Sequence, residues 1–79
     1  MSMRVQAEVS FYPLKAQDVT REITAFVDAL RARGVEVELG PLSALVRGES
    51  GAVFDALKHA YAACASHGTA ALVVKYVNI

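Results

Sequence analysis

The stretch Val35-Glu-Val-Glu-Leu-Gly-Pro-Leu-Ser-Ala-Leu-Val-Arg-Gly48 decides the fold. Val35, Val37 and Leu39 alternate with Glu36 and Glu38, the period of a strand with one apolar face. Gly40-Pro41 breaks the run, because proline has no N–H to give to a ladder. Leu42, Ala44 and Val46 then alternate with Ser43, Leu45 and Arg47, which predicts a second strand. So short a break predicts that the two strands pair as neighbours through a tight connection.

Working outward, each of these strands is flanked by a helix and then by another strand. Upstream, Val19, Ile23, Phe26, Val27 and Leu30 fall at helical spacing, with Asp18 or Thr20 as the N-terminal cap and Gly34 just past the end. Arg31 and Arg33 near that end complement the helix dipole. Before this helix, Val5, Ala7, Val9 and Phe11 alternate with Arg4, Gln6, Glu8, Ser10 and Tyr12, a strand that Pro13 ends. Downstream, Gly48-Glu49-Ser50-Gly51 punctuates the chain, with Ser50 as the expected cap. Val53, Leu57, Ala60 and Cys64 line a second helix, Phe54 and Tyr61 lie beside them, and Gly68 ends it. Ala70–Val77, rich in β-branched residues, is the last strand.

The order is β-α-β-β-α-β. Right-handed crossovers place both helices on one face of the sheet. The expected fold class is therefore α+β: a ferredoxin-like antiparallel sheet, strand order 4-1-3-2, with two helices on one face and residues 1–79 forming a single domain.

Bulk properties narrow the function. Eight basic and eight acidic residues give zero formal net charge, so net charge makes no case for nucleic acid or an anionic membrane as partner. Hydrophobic residues make up 54% of the chain, more than one small core hides, which predicts a homodimer or higher homo-oligomer. No apolar run approaches the roughly 20 residues that span a bilayer, and the N-terminal stretch lacks a signal-peptide apolar region, so the expected compartment is the cytoplasm. One cysteine, Cys64, permits neither an intrachain disulfide nor a cysteine-based metal site. His59 and His67 sit eight apart with no third ligand nearby in sequence. Asp55 and His59 are spaced i,i+4 and read as a surface pair, and His67 as a partner of the helix dipole. No metal, cofactor or catalytic residue is expected.

The predicted open face carries Gln6, Glu8, Ser10 and Tyr12, then Glu36 and Glu38, then Ser43, Leu45 and Arg47, and finally Val73, Lys75 and Val77. Small polar groups interleaved with apolar ones suit a contact or a small-ligand pocket better than bare solvent.

The run Ala7-Glu-Val-Ser-Phe-Tyr-Pro-Leu14, followed by Asp18, resembles the opening signature of the YkoF-like family, which binds thiamin and its hydroxymethylpyrimidine moiety. Gly40-Pro-Leu-Ser-Ala-Leu-Val-Arg-Gly-Glu49 resembles the second signature, Gly-Pro-Met-Ser-Thr followed by a Gly-acid pair, and Val53-Phe54 with Ala56-Leu57 resembles the helix after it. Asn78 resembles the middle residue of the family's Ser-Asn-Ala ending. Two hydroxyls of the pattern are missing, with Ala44 at the Thr position and Val77 at the Ser position. The resemblance implies a domain that binds its ligand without chemistry and assembles through its sheets, here as a homodimer.

Gln6, Glu8, Ser10, Tyr12, Ser43 and Asn78 are the expected ligand-binding residues. An aminopyrimidine accepts at its ring nitrogens and donates from its amine. The Gln6 amide can meet both, Ser10 and Ser43 either one, and Glu8 the amine or a thiazolium charge. Tyr12 can stack on the ring or face the cation. Two other readings stay open: a small ferredoxin-like dimeric enzyme of isomerase or oxygenase type, and a structural or regulatory oligomerisation module.

Overall fold

A computed structural model describes residues 3–66 and 68–79. Its elements are β1 (Arg4–Pro13), α1 (Val19–Ala32), β2 (Glu36–Leu39), β3 (Ala44–Glu49), α2 (Ser50–Ala65) and β4 (Ala70–Asn78). The sheet has the order β2-β3-β1-β4, every neighbouring pair antiparallel, which is the expected 4-1-3-2 order read from the other end.

The alternation in β1 sets the two layers. Val5, Ala7, Val9 and Phe11 are buried together with Phe26 and Leu30 of α1 and Val53, Ala56, Leu57 and Ala60 of α2. One face of the sheet is thus covered by both helices. Phe11 stacks on Phe26 with ring centroids 4.4 Å apart, and Tyr61 meets Phe11 edge-on at 6.4 Å. The Tyr61 hydroxyl donates to the Ala70 carbonyl at 2.9 Å, so its polar end is paired although its ring packs on the core.

Asp18 caps α1, its carboxylate accepting the Arg21 N–H at 3.1 Å, and Gly34 takes φ +83° beyond the helix end, a left-handed conformation that costs glycine little. Arg33 does more than complement a dipole. It closes α1 as the C-cap residue and pairs with Asp55 of α2 at 2.9 Å, tying the two helices on their outer side. Asp55 also meets His59 at 3.2 Å, the expected i,i+4 pair, and the Arg33 guanidinium holds the Asp55 carboxyl below its ordinary range. The reading of His67 lies outside the described residues.

Several expectations need correction. The cap of α2 is Glu49 rather than Ser50: its carboxylate accepts the Ala52 N–H at 3.1 Å, and Ser50 is already the first helical residue. Leu42 is not a strand residue. The Gly40 N–H donates to the Ser43 carbonyl at 2.8 Å, closing a turn that leaves Leu42 91% exposed and delays β3 to Ala44. Val19, at the start of α1, is half exposed rather than part of the buried stripe. Phe54, beside the apolar line of α2, stacks on Tyr76 of β4 at 4.3 Å at the margin of the helical layer, and both rings are exposed. Cys64 is half buried, and burial, helped by the nearby Glu22 charge, pushes its thiol pKa up.

The two sheet edges differ. β2 is four residues long, with Glu36 and Glu38 exposed; β4 is nine residues long and exposes Val73, Tyr76 and Val77. Short, charged edges resist unwanted pairing, while long apolar ones invite it.

Candidate functional site

The ladder registers resolve the open face into rows. Glu36, Arg47, Gln6 and Val77 form one row, Glu38, Leu45, Glu8 and Lys75 the next, and Ser10 with Val73 the third. Of the expected ligand-binding residues, Gln6, Glu8 and Ser10 are therefore brought together on that face, but two of them, Gln6 and Glu8, are already engaged there. Arg47 Nε donates to Gln6 Oε1 at 2.8 Å, and its other nitrogens lie 3.6 Å from Glu36 and 3.9 Å from Glu38. Gln6 thus has one acceptor lone pair committed to Arg47, leaving its amide N–H donors and the second lone pair of its oxygen. Lys75 Nζ lies 3.6 Å from Glu8.

Asn78 stands apart from this group. It pairs with Val5, a core residue, so it belongs to the helix side of the sheet, whereas Val77 pairs with Gln6 and belongs to the open side.

Ser10, Tyr12 and Ser43 converge elsewhere, at the end of the sheet. There a cleft of about 540 Å³ opens between the last residues of β1, the first half of α1 and the Gly40–Ser43 turn. Its walls are largely apolar, including Val9, Val19, Ile23, Leu39 and Leu42, with hydroxyls from Ser10, Tyr12, Thr20, Thr24 and Ser43. No carboxylate, amine, guanidinium, imidazole or thiol lines it among the described residues. A few hydroxyls on an apolar wall orient a ligand without charging it, the usual composition of a small-molecule site.

The cleft exists because the strands are unequal. β1 has ten residues and β3 six; their ladder ends at Val9↔Ala44, while β1 remains paired to β4 as far as Pro13↔Ala70. Where β3 would continue, the Gly40–Ser43 turn swings away, leaving a notch beside β1. Thr20, Thr24, Leu39 and Leu42 also line it, and no sequence motif marks them as site residues. Only the length mismatch between the two predicted strands could have pointed to them.

A second cleft, of about 470 Å³, lies between the β1–α1 loop and the start of β4. It is lined by Lys15, Asp18, Arg21 and Glu22 as well as Cys64, and contains none of the six expected ligand-binding residues.

Residues 7–78 match the family described as thiamine-binding protein. The chain belongs to that thiamine-binding family. No curated protein matches the chain. Among solved structures, a hypothetical protein of Methanocaldococcus jannascii superposes with a TM-score of 0.85 at 21% identity, covering 94% of this chain and 78% of that one. A domain of unknown function from Bacillus cereus gives 0.83 at 26% identity, covering 98% and 77%. A Thermotoga maritima candidate thiamine biosynthesis/salvage protein gives 0.81 at 18% identity, covering 92% and 81%. These likenesses establish that the thiamine-binding family member described here shares their fold. No helix among the described residues is long and apolar enough to cross a membrane.

Proposed function

We propose that this chain binds thiamin or its hydroxymethylpyrimidine moiety without chemistry, as a cytoplasmic homodimer, and holds the ring in the cleft at Ser10, Tyr12 and Ser43. The observation that carries the reading is the family match over residues 7–78, joined to a cleft where three of the expected binding residues meet. Its volume falls within the roughly 300–1,000 Å³ of small-molecule sites. The lining supports binding over catalysis, since a general acid or base near neutral pH needs a carboxyl, imidazole, amine or thiol in place. The exposed Val73, Val77 and Tyr12 of the sheet's outer face, and the long apolar edge of β4, support self-association.

Isothermal titration with thiamin and with hydroxymethylpyrimidine tests the ligand, and sedimentation equilibrium tests the dimer. Heat of binding together with a raised melting temperature is expected. No heat and no melting shift at millimolar ligand overturns the ligand assignment; a monomer at high protein concentration overturns the dimer.

A further inference from the structure

The notch beside β1 leaves a specific pair of backbone groups without a strand partner. Met3 C=O accepts the Ser50 N–H on the β3 side, while Arg4 C=O accepts the Ile79 N–H and Leu14 N–H donates to Thr69 C=O on the β4 side. Both ladders of β1 run without interruption of register. Odd-numbered residues of β1 therefore turn their N–H and C=O toward β3, and even-numbered ones toward β4. Val9 finds Ala44 opposite it. Two residues on, Phe11 would meet Leu42, but Leu42 has left the sheet with the turn. No turn, loop or side-chain hydrogen bond reaches the Phe11 N–H or C=O among the described residues, and Phe11 lines the cleft. Its ring, stacked on Phe26 and met edge-on by Tyr61, fixes that stretch of backbone in place.

We propose that the free N–H and C=O of Phe11 are the recognition element of the cleft, and that they read the adjacent amine and ring nitrogen of a neutral aminopyrimidine as a missing strand partner. The inference rests on the ligand reading above and adds the groups that select the ring. A ring nitrogen accepts the Phe11 N–H while the exocyclic amine donates to the Phe11 C=O, the pattern that a continuing β3 would have supplied. The uncharged lining requires this part of the ligand to enter neutral, because a buried charge without a partner is costly. A thiazolium or phosphate group on the same molecule is therefore left outside, toward solvent.

The test is a titration of the full chain, labelled with 15N, with hydroxymethylpyrimidine, with thiamin and with the pyrimidine that lacks the 4-amino group. The expected result is a downfield shift of the Phe11 amide proton and slower exchange of that proton with both natural ligands. The deaminated ring should bind about tenfold more weakly, the worth of one well-placed hydrogen bond. Binding of the natural ligands with an unmoved, unprotected Phe11 amide overturns this inference and leaves the thiamin reading standing. Equal affinity for the deaminated ring does the same. No binding of either natural ligand overturns both.

Discussion

Arg47 reaches across the β3–β1 ladder and donates from Nε to the carboxamide oxygen of Gln6, 2.8 Å away. The contact ties the two central strands together on the face that no helix covers, and draws Glu36 and Glu38 of the edge strand toward the same guanidinium.

Replacing Arg47 with Met tests what this contact contributes. The methylene stem is kept, the charge-assisted hydrogen bond is lost, and the two glutamates lose their neighbouring cation. Because the side chain is only partly exposed, the expected loss is about 1 kcal/mol, read as a lower urea midpoint with an unchanged slope.

Leu30 is fully buried between the helices and the sheet. Leu30→Ala removes its packing and leaves a cavity, at a cost of about 2–5 kcal/mol. In so small a domain that is a large part of the total, so chemical denaturation should show the variant partly unfolded without denaturant.

The cap of α2 makes stability depend on pH with a definite sign. The backbone N–H groups of Gly51 and then Ala52 hold the Glu49 carboxyl below its ordinary range. A lowered folded pKa contributes stability above the unfolded value, and that contribution is lost as pH falls through the folded one. Glu49→Gln should therefore melt below the parent chain at neutral pH, and the gap should close in acid. Thermal melts between pH 7 and pH 3 read this directly; a gap that widens in acid would exclude the cap as its source.

Leu42 separates folding from binding. Being almost wholly exposed, it contributes little to the core, and Leu42→Asp should change stability by no more than about 0.5 kcal/mol. Since Leu42 also forms one wall of the uncharged cleft, the same substitution should weaken titration by hydroxymethylpyrimidine severalfold. Unchanged affinity would move the ligand away from this cleft.

What the sequence revealed follows the range of the forces involved. The period-two runs of β1 and β4, and the spacing of Phe26, Val27 and Leu30, are local patterns, and they specified element order, sheet order and the contents of both faces apart from Leu42 and Val19. The end of β3 was not local. The alternation of Leu42, Ala44 and Val46 runs straight through it, and what ends the strand is a hydrogen bond between Gly40 and Ser43. Glu49 and Ser50 are both residues that can cap a helix, and only the actual start of α2 chooses between them. Asn78 shows how strictly a strand alternates: adjacent to Val77, it has to face the opposite way. The cleft was the least legible feature, because it arises from two strands of different length and belongs to no single motif.

The unequal edges of the sheet bear on how far such a molecule can associate. β2 presents two carboxylates along four residues, whereas β4 presents nine residues bearing only one charged side chain. Edge-to-edge growth into a fibre needs two receptive sides on every copy, one to accept and one to extend. A chain with a single receptive side can add one neighbour there, and a second copy meeting it antiparallel uses up both. Any association through strands is therefore self-terminating at a pair, and the acidic margin keeps that pair from becoming the seed of a longer array.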